Sequence, residues 1–277
     1  MAALALEIRD IACKFPSSDG SGDFYTAIEQ VTLDLQADEF VAIVGPTGCG
    51  KSTILNVAAG LISPRAGSVK VFGKNLDGLN TDAGYMFQSN TLMPWRSALQ
   101  NVCLGLEYQG RSKLDSLSIA RDWLKRVGLG GFEDRYPHQL SGGMQKRVSL
   151  AQTLALEPKI ILMDEPFSAL DLQTRQLMEN EVLGLCQPAK DEPGKAVLFI
   201  THDLDEAIAM SDRVIVMSAG PGSRPIGNFL IDLPKPRDVA EIKTHPKFYE
   251  IYNQIWQVLR DEVLRSYAKQ KLMMDKA

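Results

Sequence analysis

The chain has 277 residues, 45% of them hydrophobic, and a formal net charge of −4. That length suits one large α/β domain plus an appendage, and no apolar run approaches the roughly 20 residues of a membrane span. The acidic balance lacks the basic stripe of a nucleic-acid binder, so no nucleic-acid partner is expected. The opening MAALALEIRD has neither a basic region nor a long apolar run and does not read as a secretory signal.

Short apolar, β-branched runs predict strands near Leu6–Ile11, Val31–Leu35 and Phe40–Val44. Between the first two, the polar stretch from Pro16 to Asp23 reads as a loop insertion. After the third comes Gly45-Pro46-Thr47-Gly48-Cys49-Gly50-Lys51-Ser52-Thr53, then helical spacing at Ile54, Leu55, Ala58 and Leu61 in a helix from Ser52 to Leu61. A glycine loop joining a strand to a helix is a phosphate cradle: the glycines permit a tight turn with inward N–H groups, and the helix start is positive. Lys51 reaches the β- and γ-phosphates of ATP, and Ser52 offers its hydroxyl to Mg²⁺. Cys13, Cys49, Cys103 and Cys186 form no CxxC pair, which suits a reducing compartment. Cys49 lies inside the cradle, so a bulky thiol reagent there is expected to block ATP binding, with ATP protecting.

Further strands are predicted at Ser68–Phe72 and at Gly84–Phe87, the latter followed by Gln88. The next 70 residues or so read as helical, with periodic patterns at Leu99–Tyr108, Ser116–Val127 and Met144–Leu156. Leu140-Ser141-Gly142-Gly143-Met144-Gln145 opens the last of these. Ser141 is a good helix cap, and the two glycines leave backbone N–H groups uncovered, which makes a second anion-binding helix start. Ile160–Met163 is a buried-strand run that delivers Asp164 and Glu165 at its carboxyl end, where open α/β sheets place ligand chemistry. Asp164 is the candidate Mg²⁺ holder and Glu165 the candidate for polarising the attacking water. Strand runs at Ala196–Ile200, leading to His202, and at Arg213–Met217 complete the pattern. His138 and His245 have no such context and read as surface or cap residues. After the breaker cluster Pro234-Lys235-Pro236-Arg237, Pro246 opens a long helix with Phe248, Ile251, Ile255, Val258, Leu259 and Val263 on one face. That face either packs back on the domain or docks a partner.

The ordered set GPTGCGKST, Gln88, LSGGMQKR, IILMDEP and Thr201-His202-Asp203 resembles the ATP-binding subunit of an ABC transporter along nearly the whole chain. The resemblance implies an α/β fold: a P-loop NTPase core with a mainly parallel sheet, an N-terminal antiparallel β portion and an inserted helical subdomain. Residues 1–233 would be the cassette, with the subdomain at about 89–157, and residues 234–277 a C-terminal helical extension. It also implies roles. Gln88 contacts Mg²⁺ and the attacking water, and His202 is the switch histidine near the γ-phosphate. Ser141, Gly142, Gly143 and Gln145 form the signature that meets the γ-phosphate held by the opposite subunit. Ser168-Ala169-Leu170-Asp171 matches the loop that crosses between subunits. The partner is then a second cassette, in a head-to-tail homodimer with ATP between the halves. Adenine stacks on Phe15, or on Tyr25 if the loop insertion shifts the register. Many relatives carry Ala-Arg-Ala-Leu where this chain has Ala151-Gln152-Thr153-Leu154, which puts one local arginine contact in doubt.

Phe87-Gln88-Ser89-Asn90-Thr91-Leu92-Met93-Pro94-Trp95-Arg96, Thr201–Ala207, Ser218–Arg224 and Asp232–Asp238 are similar to segments of the nitrate/sulfonate/taurine importer group. Membership implies transmembrane permease subunits as partners, a periplasmic solute-binding protein indirectly, and a place on the cytoplasmic face of the inner membrane. Trp95 and Arg96 would shape the groove for the permease, unless Trp95 is a core anchor of the subdomain. Bicarbonate, cyanate, a pyrimidine precursor or a lipid is the alternative cargo. A soluble ABC ATPase acting on nucleic acid or ribosomes is disfavoured by the single cassette and the acidic charge. A simple P-loop kinase is disfavoured by LSGGMQKR.

Overall fold

The computed structural model describes residues 4–16, 23–89, 91–186 and 194–274. Asn90 and most of the predicted loop insertion lie outside the described residues.

Two sheets are built in sequence. The long strands β1 (Leu4–Pro16) and β2 (Phe24–Gln36) pair antiparallel and bend at bulges. Asp10 and Gln30, with φ near +50°, mark the bends. β3 (Phe40–Val44) starts the second sheet, and α1 (Lys51–Ala58) follows the glycine loop. The helix ends before the predicted Leu61 because Gly60, at φ 72°, turns the chain. β4 (Ala66–Val71) and the short β5 (Lys74–Asn75) return to the first sheet, whose order is β2-β1-β4-β5. β6 (Ala83–Met86) joins the second.

Helices α2 (Ala98–Tyr108), α3 (Lys113–Arg126) and α4 (Gly142–Leu154) pack on one another, with a 3-10 turn at Pro137–Gln139 before α4. Each opens on a serine cap: Ser97, Ser112 and Ser141 accept from backbone N–H groups three residues on. Then come β7 (Ile160–Asp164), α5 (Leu172–Cys186), β8 (Ala196–Ile200), α6 (Leu204–Met210), β9 (Arg213–Met217), β10 (Pro225–Leu230), α7 (Val239–Ile242) and α8 (Pro246–Met274). The second sheet has the order β10-β9-β3-β8-β7-β6. It is parallel from β9 to β6, with β10 antiparallel on one edge.

Parallel strands covered on both faces read as continuous apolar runs, and β3, β7 and β8 are buried at every position. Their side chains alternate between two cores. Val41, Ile43, Leu162 and Ile200 face α1 and the first sheet, in a core with Leu6, Ile8 and Ile54. Phe40, Ala42, Met163 and Phe199 face the remaining helices. Each large apolar side chain fully buried in this way contributes about 1.5–3 kcal/mol.

The breaker cluster carries a lock. Arg237 is buried and donates to the Ile231 carbonyl at 3.0 Å, which pins the chain before α7. α8 packs on α6, β9 and β10, with Phe248, Ile251, Ile255 and Leu259 buried. Of the two roles its apolar face allowed, packing back on the domain is the one observed for these four residues.

Candidate functional site

Adjacent parallel strands end on one edge, and the order β3-β8-β7-β6 dictates what meets there. β3 delivers the glycine loop, β8 delivers His202, β7 delivers Asp164 and Glu165, and β6 delivers Gln88.

The glycine loop folds on itself. Cys49 N–H donates to the Pro46 carbonyl at 3.3 Å. Lys51 is buried, and its ammonium donates to the carbonyls of Gly45 at 2.8 Å and Pro46 at 3.0 Å. Gly48 and Gly50 adopt φ of 77° and 84°. At Gly50 the space is also closed, since a Cβ would stand 2.4 Å from Ile28 Cγ2. Gly50 caps α1 without a side-chain bond, so the helix start presents bare N–H groups.

The Cys49 thiol corrects an expectation. The residue is fully buried, and desolvation pushes its pKa up despite Lys51 nearby. The side chain lies beneath the loop, close to Ser223, so the reagent-blocking experiment is expected to fail for want of access.

Ser52 hydrogen-bonds Asp164, joining the loop to the acidic strand end. Burial pushes the Asp164 carboxyl up; the Ser52 bond, Lys51 and Lys146 oppose that shift, while Glu165 adds to it. Glu165 sits at φ 46° with its N–H on the Ile200 carbonyl at 3.0 Å. Its Oε2 accepts from Gln88 Nε2 at 3.0 Å and lies 3.5 Å from His202 Nδ1. Two residues from two other strand ends thus converge on the Glu165 carboxylate. A non-glycine residue in the left-handed region is a sparsely populated choice that this surrounding structure enforces.

The second glycine motif starts α4. Ser141 accepts from Met144 N–H at 3.2 Å, and a Cβ at Gly142 would meet no atom within 4 Å. Gly143 lies against Ala169 and Leu170 of the loop before α5. The Gln145 side chain donates to the carbonyls of Pro137 at 2.7 Å and Leu140 at 3.0 Å, holding the motif's own approach. Asp171 caps α5 through Thr174 N–H at 3.0 Å, which lowers its pKa. Gln152, in place of the usual arginine, ties α4 to α2 through the Asn101 carbonyl at 3.0 Å.

Phe15 and Tyr25 are register partners across β1 and β2 and so share a face. Phe15 is half-buried, and Tyr25 is exposed with its hydroxyl beside Gly220.

Two residues matter that the sequence did not single out. Lys146 is buried and donates to the carbonyls of Phe87 at 2.9 Å and Gln88 at 2.6 Å, so the signature helix grips the Gln88 segment. Burial lowers its pKa, and Asp164 and Glu165 oppose that. Arg175 donates to the Leu170 carbonyl and lies 3.6 Å from both Asp203 and Glu206. It therefore spans from the loop before α5 to the segment just after His202. Lys146 was visible only as a letter inside LSGGMQKR, and Arg175 carried no motif signal.

A glycine loop opening a helix beside a strand-end acidic pair defines a P-loop nucleotide-hydrolysing α/β protein. Residues 28–168 match the ABC transporter family model. The chain is 48% identical over 246 residues to an uncharacterized ABC transporter ATP-binding protein of Methanocaldococcus jannaschii, covering 89% of both. It is 37% identical to the nitrate import ATP-binding protein of Synechococcus elongatus over 87% of this chain but 36% of that protein. It is 35% identical to the bicarbonate transport ATP-binding protein of Synechocystis over 94% of this chain but 38% of that one. Among solved structures, it resembles an ATP-binding cassette captured as a dimer in a post-hydrolysis state with ADP and Pi. That match has TM-score 0.73 and 30% identity, over 82% of this chain and 98% of the other. The chain belongs to the ABC transporter ATP-binding family, and it is an ATPase.

Proposed function

We propose that the chain energises import of a small oxyanion by hydrolysing ATP between two head-to-tail copies on the cytoplasmic face of a membrane. The observation that carries the hydrolytic reading is the convergence of Gln88 and His202 on Glu165, beside Lys51, Ser52 and Asp164. Residues Gly45 to Thr53 hold the phosphates. Phe15 and Tyr25 present an aromatic face for adenine. Ser52, Asp164 and Gln88 hold Mg²⁺, an oxygen-only set with one carboxylate, which suits a cation that keeps waters and phosphate oxygens as its other ligands. When bound, the ion neutralises charge developing on the β- and γ-phosphates. Glu165 takes the proton of the attacking water, with His202 and Gln88 orienting it. Ser141, Gly142 and Gly143 close the partner's site, with Gln145 bracing the motif and Asp171 at the crossing loop. A dimer in the related solved cassette supports this arrangement.

Residues 1–233 form the cassette in this reading, with the permease-facing helical subdomain at about 89–157 and an extension at 234–277. Trp95 supports the docking assignment: it is 70% exposed, which is not the position of a core anchor. Arg96 beside it pairs with Glu107 at 3.3 Å. The nitrate and bicarbonate relatives support a small oxyanion as cargo, delivered by a solute-binding protein to transmembrane permease subunits.

The test is reconstitution with the cognate permease and binding protein in liposomes. Nitrate, bicarbonate or an organic sulfonate is expected to stimulate hydrolysis and accumulate inside; stimulation by none of them contradicts the cargo class. In the same assay Trp95→Ala is expected to keep ATPase activity in detergent-free solution and lose about tenfold or more of transport, as for a buried aromatic anchor at an interface. Wild-type transport by a folded Trp95→Ala variant rejects the docking role.

A further inference from the structure

We propose that Glu262 and Lys269 of α8 hold the phosphate loop in its binding shape, acting through the turn at residues 218–224. The inference rests on the reading that Gly45 to Thr53 binds ATP.

The turn joins β9 to β10 and is attached on three sides. From α8, the buried Glu262 accepts the Ala219 N–H at 2.7 Å, while Arg265 satisfies its other oxygen at 2.6 Å. Lys269, two helical turns on and on the same face, donates to the Gly220 carbonyl at 2.9 Å. From β2, the carbonyls of Thr26 and Ala27 accept the N–H groups of Gly222 at 2.8 Å and Ser223 at 3.2 Å, and Glu29 N–H returns to Ser223 at 3.0 Å. The third attachment is the phosphate loop itself. A Cβ on Gly220 would stand 3.3 Å from the Gly48 carbonyl and 3.2 Å from the Tyr25 hydroxyl. Ser223 is fully buried, donates to the Ser218 carbonyl at 2.7 Å and lies close to the Cys49 thiol beneath the loop.

The path is therefore short: helix side chain, turn backbone, phosphate-loop backbone. The loop's N–H groups act by position, and a displacement of about 1 Å in such a site costs on the order of a hundredfold in the worst case. Glu165, Gln88 and His202 approach from other strand ends and are not held by this turn. Loosening the turn should weaken ATP binding and spare the chemical step. Glu262 and Lys269 are positioning residues, since neither reaches the nucleotide.

The test is steady-state ATPase kinetics and fluorescent-ATP binding on the full chain. Glu262→Ala is expected to raise KM about fivefold to twentyfold with kcat within about twofold. Glu262→Gln keeps an acceptor for Ala219 N–H and is expected to restore KM to within about twofold of wild type. Lys269→Met, at an exposed position with no folding risk, is expected to raise KM about threefold. Unchanged KM in both Glu262→Ala and Lys269→Met overturns the inference, as does a fall in kcat at constant KM. Lys51→Met separates the two levels. If it leaves ATP binding intact, the assignment of the ATP site has failed; if it abolishes binding while the α8 variants behave as wild type, only the present inference has failed.

Discussion

Glu165→Gln is expected to bind ATP normally and hydrolyse it about 10² to 10⁴ times more slowly, the usual contribution of a general base. The amide is isosteric, and its carbonyl oxygen can still accept the Gln88 Nε2 bond now made at 3.0 Å. The strained backbone at φ 46° and the Ile200 anchor are untouched. What disappears is the proton acceptor, so the loss falls on kcat and not on affinity. Single-turnover quench-flow, run beside equilibrium binding of a fluorescent ATP analogue, measures both quantities on one preparation. Hydrolysis within about tenfold of wild type would remove Glu165 from the role of base and leave Gln88 and His202 converging on a structural carboxylate.

Lys51→Met is expected to lose about a hundredfold or more of ATP affinity. The ammonium is held by the carbonyls of Gly45 and Pro46, so it stands inside the loop that must receive the phosphates. A unit charge about 4 Å from a phosphate oxygen is worth about 4 kcal/mol at the effective dielectric of a half-dry site, before desolvation is counted against it. Methionine fills much of the same volume, which keeps the buried wall intact. Calorimetric titration with ATP checks this directly, and affinity within about threefold of wild type would contradict the phosphate assignment. A drop in melting temperature alone would not account for the expected loss, because binding is read at a temperature where the variant remains folded.

The strongest sequence signals lie where physics leaves few choices. β3, β7 and β8 are buried on both faces, so each appears as an unbroken apolar run with a polar or glycine end. The glycine loop was legible for the same reason: Gly50 has both a positive φ and a neighbour at 2.4 Å, and no other residue fits. Elements with weaker demands escaped. β5 has two residues, too few for a period, and α7 is a single turn. β10 is an edge strand that begins at Pro225, contains Gly227 and is buried on neither face, so it reads as loop. α3 begins at Lys113, three residues before the apolar pattern, because its Ser112 cap and not its periodicity sets the start.

Side-chain direction was the other blind spot. Cys49 lies in the motif but turns beneath it, and no spacing rule distinguishes that from a thiol facing the phosphates. The spacing around Trp95 fits a core anchor as well as a surface residue, and only the fold leaves it 70% exposed. Glu262, Lys269 and Lys146 act on backbone groups far away in sequence, with separations of 43, 49 and 58 residues, and Arg175 on one 5 residues away. Three of those four contacts are made only by the tertiary fold. Arg175 reaches a near neighbour, yet its link to the His202 segment also appears only in three dimensions.

The central claim is that each ATP is shared, with the phosphate loop from one copy and the Ser141–Gly143 helix start from the other. The most direct measurement is hydrolysis by mixed dimers carrying Lys51→Met and Ser141→Arg in two arrangements. With the changes on separate copies, one pocket carries both defects and the other is intact, so about half the wild-type rate should survive. With both changes on the same copy, each pocket carries one defect and hydrolysis should be lost. The opposite pattern, with survival when one copy carries both changes and loss when they are divided, would mean that each copy completes its own pocket and would contradict the account.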